Sequence, residues 1–162
     1  MAIWLNYNDQ EIKGDVTAEE YEEWISLYSM QFGIGRAISM EAGEMANREA
    51  GRPSVSEVSI SKQMDAGSTG LFKEALTGTN GKKVVIDLVQ TGADNIRKFM
   101  SYELEDVLVS SYSVSASESG APIENILLSF SKIFMKHASA DKTNKAGTPI
   151  LVGYDLEKGK SM

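Results

Sequence analysis

The half of this chain that runs from Lys82 to the C-terminus alternates apolar and polar residues, segment after segment, with turn-forming clusters between. In residues 82–90, Val84, Ile86 and Leu88 share one face, and Thr91-Gly92-Ala93-Asp94 then turns the chain. Residues 96–104 and 106–115 read as two further strands. Ser117-Glu118-Ser119-Gly120-Ala121-Pro122 reads as a loop. Residues 123–137 form a long strand pattern, residues 141–149 are polar and turn-rich, and residues 150–156 read as a last strand. A period of two places alternate side chains on opposite faces of a sheet. Strands at this spacing, with almost no helix between them, leave an antiparallel sandwich or barrel as the expected fold.

The first half adds strands and the one helix. Ile3-Trp4-Leu5-Asn6-Tyr7 reads as a strand, with Asn8-Asp9 as its turn. Residues 24–32 read as a strand with Trp24, Tyr28, Met30 and Phe32 on one face and Ser29, Gln31 and Gly33 on the other. One large apolar face and one small polar face suit a wall between a core and a watery space, so Ser29 and Gln31 are expected to face a lumen. Residues 54–64 are expected to form a strand with Val58 and Ile60 on one face. Ser68 then reads as a helix N-cap, Leu71, Phe72, Ala75 and Leu76 as a single apolar stripe, and Gly78 as the stop. A helix of about ten residues is marginal alone and must pack on a sheet. The expected class is mainly β: an antiparallel β-barrel or sandwich with one short flanking α-helix, a single domain over residues 1–162.

Residues 39–53 break the pattern. Glu41, Gly43, Glu44, Arg48, Glu49, Gly51, Arg52 and Pro53 carry little strand periodicity. Loops of this length are uncommon unless functional or disordered. Strongly structured flanks favour an arm that contacts a partner, with Glu41, Glu44, Arg48, Glu49 and Arg52 as its contact residues.

Charge and composition exclude several roles. The formal net charge of −7 opposes binding to phosphate backbones and to anionic membrane surfaces. With no cysteine there is no disulfide, thiolate metal site or thiol nucleophile. The N-terminus lacks a basic region and its apolar run is short, so any export is expected to proceed without a cleaved signal peptide. No stretch reaches transmembrane length.

Catalytic signals are absent class by class. His137 is the one histidine, at the end of a strand pattern. Gly78-Thr79-Asn80-Gly81-Lys82-Lys83 has the wrong glycine spacing for a phosphate loop, no Ser or Thr after the lysine, and runs from helix to strand. Gly33-Ile34-Gly35-Arg36-Ala37-Ile38 lacks the third glycine of a dinucleotide fingerprint. Glu105 and Asp106 are adjacent on a strand and expected on opposite faces. Glu19-Glu20-Tyr21-Glu22-Glu23 reads as a solvated surface turn. The expectation is a protein that is not an enzyme and has no cofactor and no metal.

Self-assembly is a further reading of the pattern. In residues 126–135, Ile126, Leu128, Phe130 and Phe134 share one face, and Leu127, Ile133 and Met135 share the other. Val107-Leu108-Val109 repeats this on a smaller scale. Apolar side chains on both faces imply burial on both, by an ordinary two-layer core or by neighbouring copies that also cover strand edges. The pattern suits the two equally.

Several blocks together resemble one family. They are Ile12-Lys13-Gly14, Trp24-Ile25 and Gly33; then Ser59-x-Ser61-Lys62, Asp65, Ser68, Leu71-Phe72, Ala75 and Gly78. Next come Tyr102-x-Leu104-x-Asp106-Val107-Leu108-Val109-Ser110-Ser111-Tyr112-Ser113, Glu124-Asn125-Ile126-x-Leu128-x-Phe130-x-Lys132-Ile133, and Gly153-Tyr154-Asp155-Leu156. In this order and spacing the chain resembles the Hcp (haemolysin-coregulated protein) family, the tube-forming subunits of type VI secretion systems. It departs from the family at Met30-Gln31-Phe32, where a tryptophan and a small residue often precede the glycine, and at His137, where a tyrosine is common. The resemblance implies a compact β-barrel with one flanking helix, and hexameric rings that stack into a tube inside a contractile sheath. It implies as partners other copies of the chain, a spike protein at the tip, sheath and baseplate components, and small effector proteins held in the lumen. The implied location is the bacterial cytoplasm and then, with the tube, outside the cell. The alternatives are a phage-type tail tube protein, a monomeric barrel that binds a small ligand, and a hydrolase built on His137.

Overall fold

The computed structural model describes residues 1–38, 42–43, 51–92, 96–137 and 148–162. Its elements are β1 (Ala2–Tyr7), β2 (Ile25–Leu27), β3 (Ser29–Gln31), β4 (Ile34–Gly35), β5 (Ser54–Val55) and β6 (Val58–Gln63). Then follow α1 (Ser68–Thr77), β7 (Lys82–Thr91), β8 (Ile96–Ser117), β9 (Gly120–Ser129), β10 (Lys132–His137), β11 (Ile150–Asp155) and β12 (Lys160–Ser161). The expected class holds: among the described residues there are antiparallel strands and one short helix.

The strand pairings close on themselves. The first part of β8 lies between β7 and β10, and its second part pairs with β9. From β7 the circuit runs to β1 and then β2. The chain then steps through Tyr28 into β3, which pairs with β6, and β6 pairs with β9. That returns the path to β8. The interior is filled by Leu5, Ile25, Val58, Ile60, Val84, Ile86, Leu104, Ile126 and Leu128, all almost fully buried. Beyond the circuit, β11 and β12 extend the sheet from β10.

Strand boundaries depart from the sequence pattern where the chain changes sheets. Residues 24–32 are two strands, not one. β2 belongs with β1 and β3 with β6, and the Tyr28 N–H donates to the Ser61 carbonyl at 2.8 Å between them. The corner turns Tyr28 out to solvent while Met30 and Phe32 pack on the core. Residues 123–137 are also two strands, β9 and β10, separated at Phe130-Ser131. Ile126 and Leu128 on β9 and Ile133 on β10 all face the core. The apolar parity therefore shifts from even to odd at the corner, and this shift produces the apparent two-faced pattern. In the second such segment, Val107 and Val109 are buried and Leu108 points out. Residues 54–64 divide likewise into β5 and β6. Residues 117–122 shrink to a two-residue turn, Glu118-Ser119, with Ala121 and Pro122 already in β9.

Conversely, residues 96–115 form one strand, not two. β8 runs through Asp106 in the left-handed region, with φ of 58°. The register explains how. Lys82 pairs with Val107 and Val84 with Leu104, so Glu105 and Asp106 together oppose Lys83. This is a bulge, which bends a strand without ending it. Aspartate tolerates the left-handed region better than most residues. Gly81 makes room: a Cβ there would collide with Asp106 Oδ1 and lie 2.8 Å from its Cα.

The helix also departs from expectation. Gly67, not Ser68, occupies the cap position, and Gly78 closes the other end by donating its N–H to Glu74 O. Leu71 is buried, whereas Phe72 and Leu76 are exposed, so the four-residue stripe is not a single buried face. Phe72 instead sets its ring edge-on to Tyr112 of β8, with centroids 5.6 Å apart.

Ser68 has a different task. Lys62 and Glu124 are register partners on β6 and β9, in the same inward rows as Ile60 and Ile126. Both are fully buried, with Lys62 Nζ 2.6 Å from Glu124 Oε1. Lys62 also reaches Asp65 Oδ1 at 2.9 Å and the Gln63 carbonyl at 2.9 Å. The Ser68 hydroxyl donates to Glu124 Oε1 at 2.5 Å and accepts the Asp65 N–H at 2.9 Å. The Tyr112 hydroxyl donates to the second Glu124 oxygen. The network ties the helix start to the end of the barrel. Burial alone would push the Glu124 carboxyl up. The hydrogen bonds from Lys62, Ser68 and Tyr112 outweigh it and hold the group below the ordinary carboxylate range. Burial, then the bond to Glu124 and its charge, push the Tyr112 hydroxyl up to about 12.

These contacts can be tested by substitution. Glu124→Gln leaves the buried Lys62 with the Asp65 carboxylate alone and removes the charge to which Ser68 and Tyr112 donate. It should destabilise the subunit by about 3 kcal/mol in urea unfolding. Because the folded-state pKa of Glu124 is depressed, its contribution is present above the ordinary carboxylate pKa and disappears as pH falls through the folded value. Wild type should therefore lose stability in acid more steeply than Glu124→Gln; parallel pH profiles would refute this. Separately, Gly81→Ala should cost roughly 1–3 kcal/mol by crowding Asp106, whereas Gly120→Ala, where no atom lies within 4 Å of the added Cβ, should change the urea midpoint little.

Candidate assembly surface

Ser29 and Gln31 alternate with Met30 on β3, so the inward turn of Met30 places both on the outside of the barrel. Pairing extends the face sideways. Ser29 sits opposite Ser61 and Gln31 opposite Ser59. Ser61 and Ser59 in turn sit opposite Asn125 and Leu127 of β9, and these opposite Ser113 and Ser111 of β8. At these paired positions four strands therefore present one outer surface that, apart from Leu127, is made of small or amide side chains. The exposed Glu57 carboxylate borders it, accepting the Ser110 hydroxyl at 2.7 Å. The Ser29 and Ser61 hydroxyls are 2.5 Å apart and share a hydrogen bond across it. Ser29 and Gln31 are thus joined by Ser59, Ser61, Ser111, Ser113 and Asn125, which were not expected at this face. Each of these alternates with a core residue along its strand, but only the register shows that they lie side by side.

A second surface is its opposite in character. Tyr102, Ile133 and Met135 lie on the core side of β8 and β10, and Val152 and Tyr154 pair with Met135 and Ile133 on β11. The core face of this sheet thus continues past the barrel. The ribbon formed by β4 and β5, with Ile34 opposite Val55, lines the other side. Between them is a groove of about 270 Å³ lined among others by Phe32, Ile34, Val55, Met135, Val152 and Tyr154. Phe32 meets Tyr102 edge-on at 5.3 Å. Gly153 is required here because a Cβ would collide with the Phe134 ring. The described residues leave the groove open: Ile34 is 64% exposed, Val152 55% and Met135 42%, and Ile150 beside them 64%. Contiguous apolar surface of this kind marks an interaction site more often than scattered exposed residues do.

The expected contact arm leaves this ribbon. Glu41, Glu44, Arg48 and Glu49 lie outside the described residues. Arg52 is described and exposed, and its guanidinium lies against the turn at Gly159, between β11 and β12. At the base of the arm the Gly51 N–H donates to Ala37 O at 2.7 Å.

Chemistry elsewhere is sparse. His137 ends β10, paired with Met100 and Ile150. Among the described residues no group of three or more His, Asp or Glu side chains is placed to hold a metal ion. Glu19, Glu20, Glu22 and Glu23 are exposed as expected, while Tyr21 between them is buried. No described helix is long and apolar enough to cross a membrane.

Comparison with known proteins places the chain. The family model described as type VI secretion system effector, Hcp, matches residues 4–137. No curated protein matches. Among solved structures, a type six secretion system protein superposes with a TM-score of 0.89 at 24% identity, over 99% of each chain. Hcp1 from Salmonella typhimurium follows at 0.75 and 23% identity, over 99% of this chain and 98% of that one. A type VI secretion system effector from Yersinia pestis gives 0.70 at 17% identity, over 94% and 98%. At these identities the structures establish a shared fold.

A charge placed in the groove tests its role. Val152→Asp, at a half-exposed position, should leave thermal unfolding of the single subunit nearly unchanged and should weaken self-association at least about tenfold if copies meet there. Unchanged association in light scattering would remove the groove from the contact.

Proposed function

This chain belongs to the Hcp family of type VI secretion system effectors, and from that membership we propose that it is a structural subunit of the secretion tube rather than an enzyme. In this reading one tube domain spans residues 1–162. Six copies form a ring, rings stack, and contraction of the surrounding sheath expels the tube. Its partners are its own copies, a spike protein at the tip, and sheath and baseplate components. The protein is made in the bacterial cytoplasm and leaves with the tube, without a cleaved signal peptide. It needs no cofactor, nucleic acid or membrane insertion.

The observation that carries the reading is the pair of unlike outer surfaces on one barrel. The hydroxyl and amide face around Ser29, Gln31, Ser61 and Asn125 suits a lumen wall, because uncharged groups interact weakly with whatever passes or is held there. Small effector proteins retained in the ring would then stabilise it by mass action. The apolar groove beside β4 and β5 suits a lateral contact, which must survive ejection. The arm over residues 40–52, with Glu41, Glu44, Arg48, Glu49 and Arg52, would add polar contacts between copies or between rings. A phage-type tail tube would use the same physics, and a monomeric small-ligand barrel would leave the groove as its pocket.

One experiment separates both tube readings from the monomeric barrel. The particle mass in solution should be about six times the subunit mass, or a multiple of that, and images should show annular particles. Reconstruction should place Ser29 and Gln31 on the inner wall and residues 40–52 between copies. A monomer at high concentration with no rings would overturn the tube reading; rings with Ser29 and Gln31 on the outside would overturn the lumen assignment alone.

A further inference from the structure

The four strands behind the serine face lie in the order β8, β9, β6 and β3, and both margins of that set are open among the described residues. Residues 108–117 of β8 pair with β9 alone, and β3 pairs with β6 alone. Proteins rarely leave strand edges uncovered. The helix runs beside the β8 margin. Its start is tied to Glu124, which lies opposite Val114, and Phe72 in its middle meets Tyr112. After its end, Gly81 passes against Asp106. Leu71 is buried, but Phe72 and Leu76, four residues apart, are 51% and 67% exposed. Val114 on the margin strand is half exposed too. A helix that packed only on its own barrel would have no use for two large apolar side chains on its solvent side.

The β3 margin is different. From β3 the chain passes through Phe32 into β4, and Phe32, Ile34 and Val55 face Met135 and Val152 across the apolar groove. One margin of the sheet is thus flanked by a ridge and the other by a recess. A ring closes when the surface offered on one side of a copy is received by a different surface on the next. Apolar side chains at i and i+4 of a helix are the usual anchors in such grooves. Copies that each carry a net charge of −7 repel one another, so buried apolar surface has to supply the attraction.

Resting on the tube-subunit reading, we infer that the Phe72 and Leu76 face of α1 in one copy seats in the apolar groove of the next copy around the ring. The contact buries the exposed side chains of both margins and shields the two open strand edges.

The chain has no cysteine, so thiols introduced singly report on one position each. Leu76→Cys and Val152→Cys both fall at exposed positions and should leave thermal unfolding of the subunit nearly unchanged. The double variant, treated with a short bis-maleimide while associated, should give a ladder of linked copies on denaturing gels. Each single variant should give almost no linked dimer, because like positions stand a subunit apart. Linked dimers from Val152→Cys alone would mean that groove meets groove and would overturn the inference. A double variant that associates but stays unlinked would also overturn it; both results leave the tube reading standing. Leu76→Asp supplies a second readout. In sedimentation velocity it should self-associate at least about tenfold more weakly than wild type, and equal association would overturn the inference alone. Failure of wild type to associate at any concentration would overturn both readings. If the cysteine variants do not fold, reconstruction of the wild-type particle decides. Carbon atoms of Phe72 or Leu76 within about 4.5 Å of a neighbour's Ile34 or Val152 support the inference; a groove filled by its own chain or by a copy in the next ring overturns it.

Discussion

The ion pair between Lys62 and Glu124 sits where a barrel of this size would otherwise place two more aliphatic side chains. Both residues lie in core-facing rows, and both are fully buried. Such a pair adds little net stability compared with apolar residues of similar volume. Its effect here is positional. Glu124 accepts from β6, from the first turn of α1 and from β8, through Lys62, Ser68 and Tyr112. Asp65 joins through Lys62 and also receives the Gly67 N–H at 2.8 Å. A greasy end to the barrel would let a ten-residue helix settle in several registers. Directional bonds to a buried charge permit one.

The barrel itself depends on strands that bend rather than stop. β8 serves both parts of the circuit because Asp106 accepts a left-handed backbone beside Gly81. Tyr28 and Phe130-Ser131 act similarly by breaking the alternation, so that one continuous stretch of chain contributes to two sheets. Each corner moves the apolar parity by one residue or exposes a single side chain. The core remains continuous although the sequence pattern is interrupted.

The same geometry creates the outer surfaces. The inward rows fill the barrel, but the sheet carrying them runs on into β10, β11 and β12. Met135, Ile150 and Val152 are therefore left exposed at its overhanging edge, with no described residue of their own chain to cover them. On the other side, alternation obliges Ser29, Ser59, Ser61, Ser111 and Ser113 to share one exterior face. An uncharged row of hydroxyls and an open apolar flank thus arise from a single alternating pattern on a barrel with an overhanging sheet.

Much of this is legible in the amino-acid sequence alone. Period-two alternation, one helical stripe and the turn clusters determined the class, because side-chain direction in a strand depends only on position parity. Motif order pointed to the family for the same local reason. Ser29 and Gln31 were legible as outward residues because their neighbours are large and apolar. Several things were decided only in three dimensions: that residues 24–32 and 123–137 each divide, that residues 96–115 do not, and that Ser68 serves a buried carboxylate instead of capping. Each depends on which strand lies beside which. Pairing is a contact between distant segments, and composition along one segment does not encode its partner.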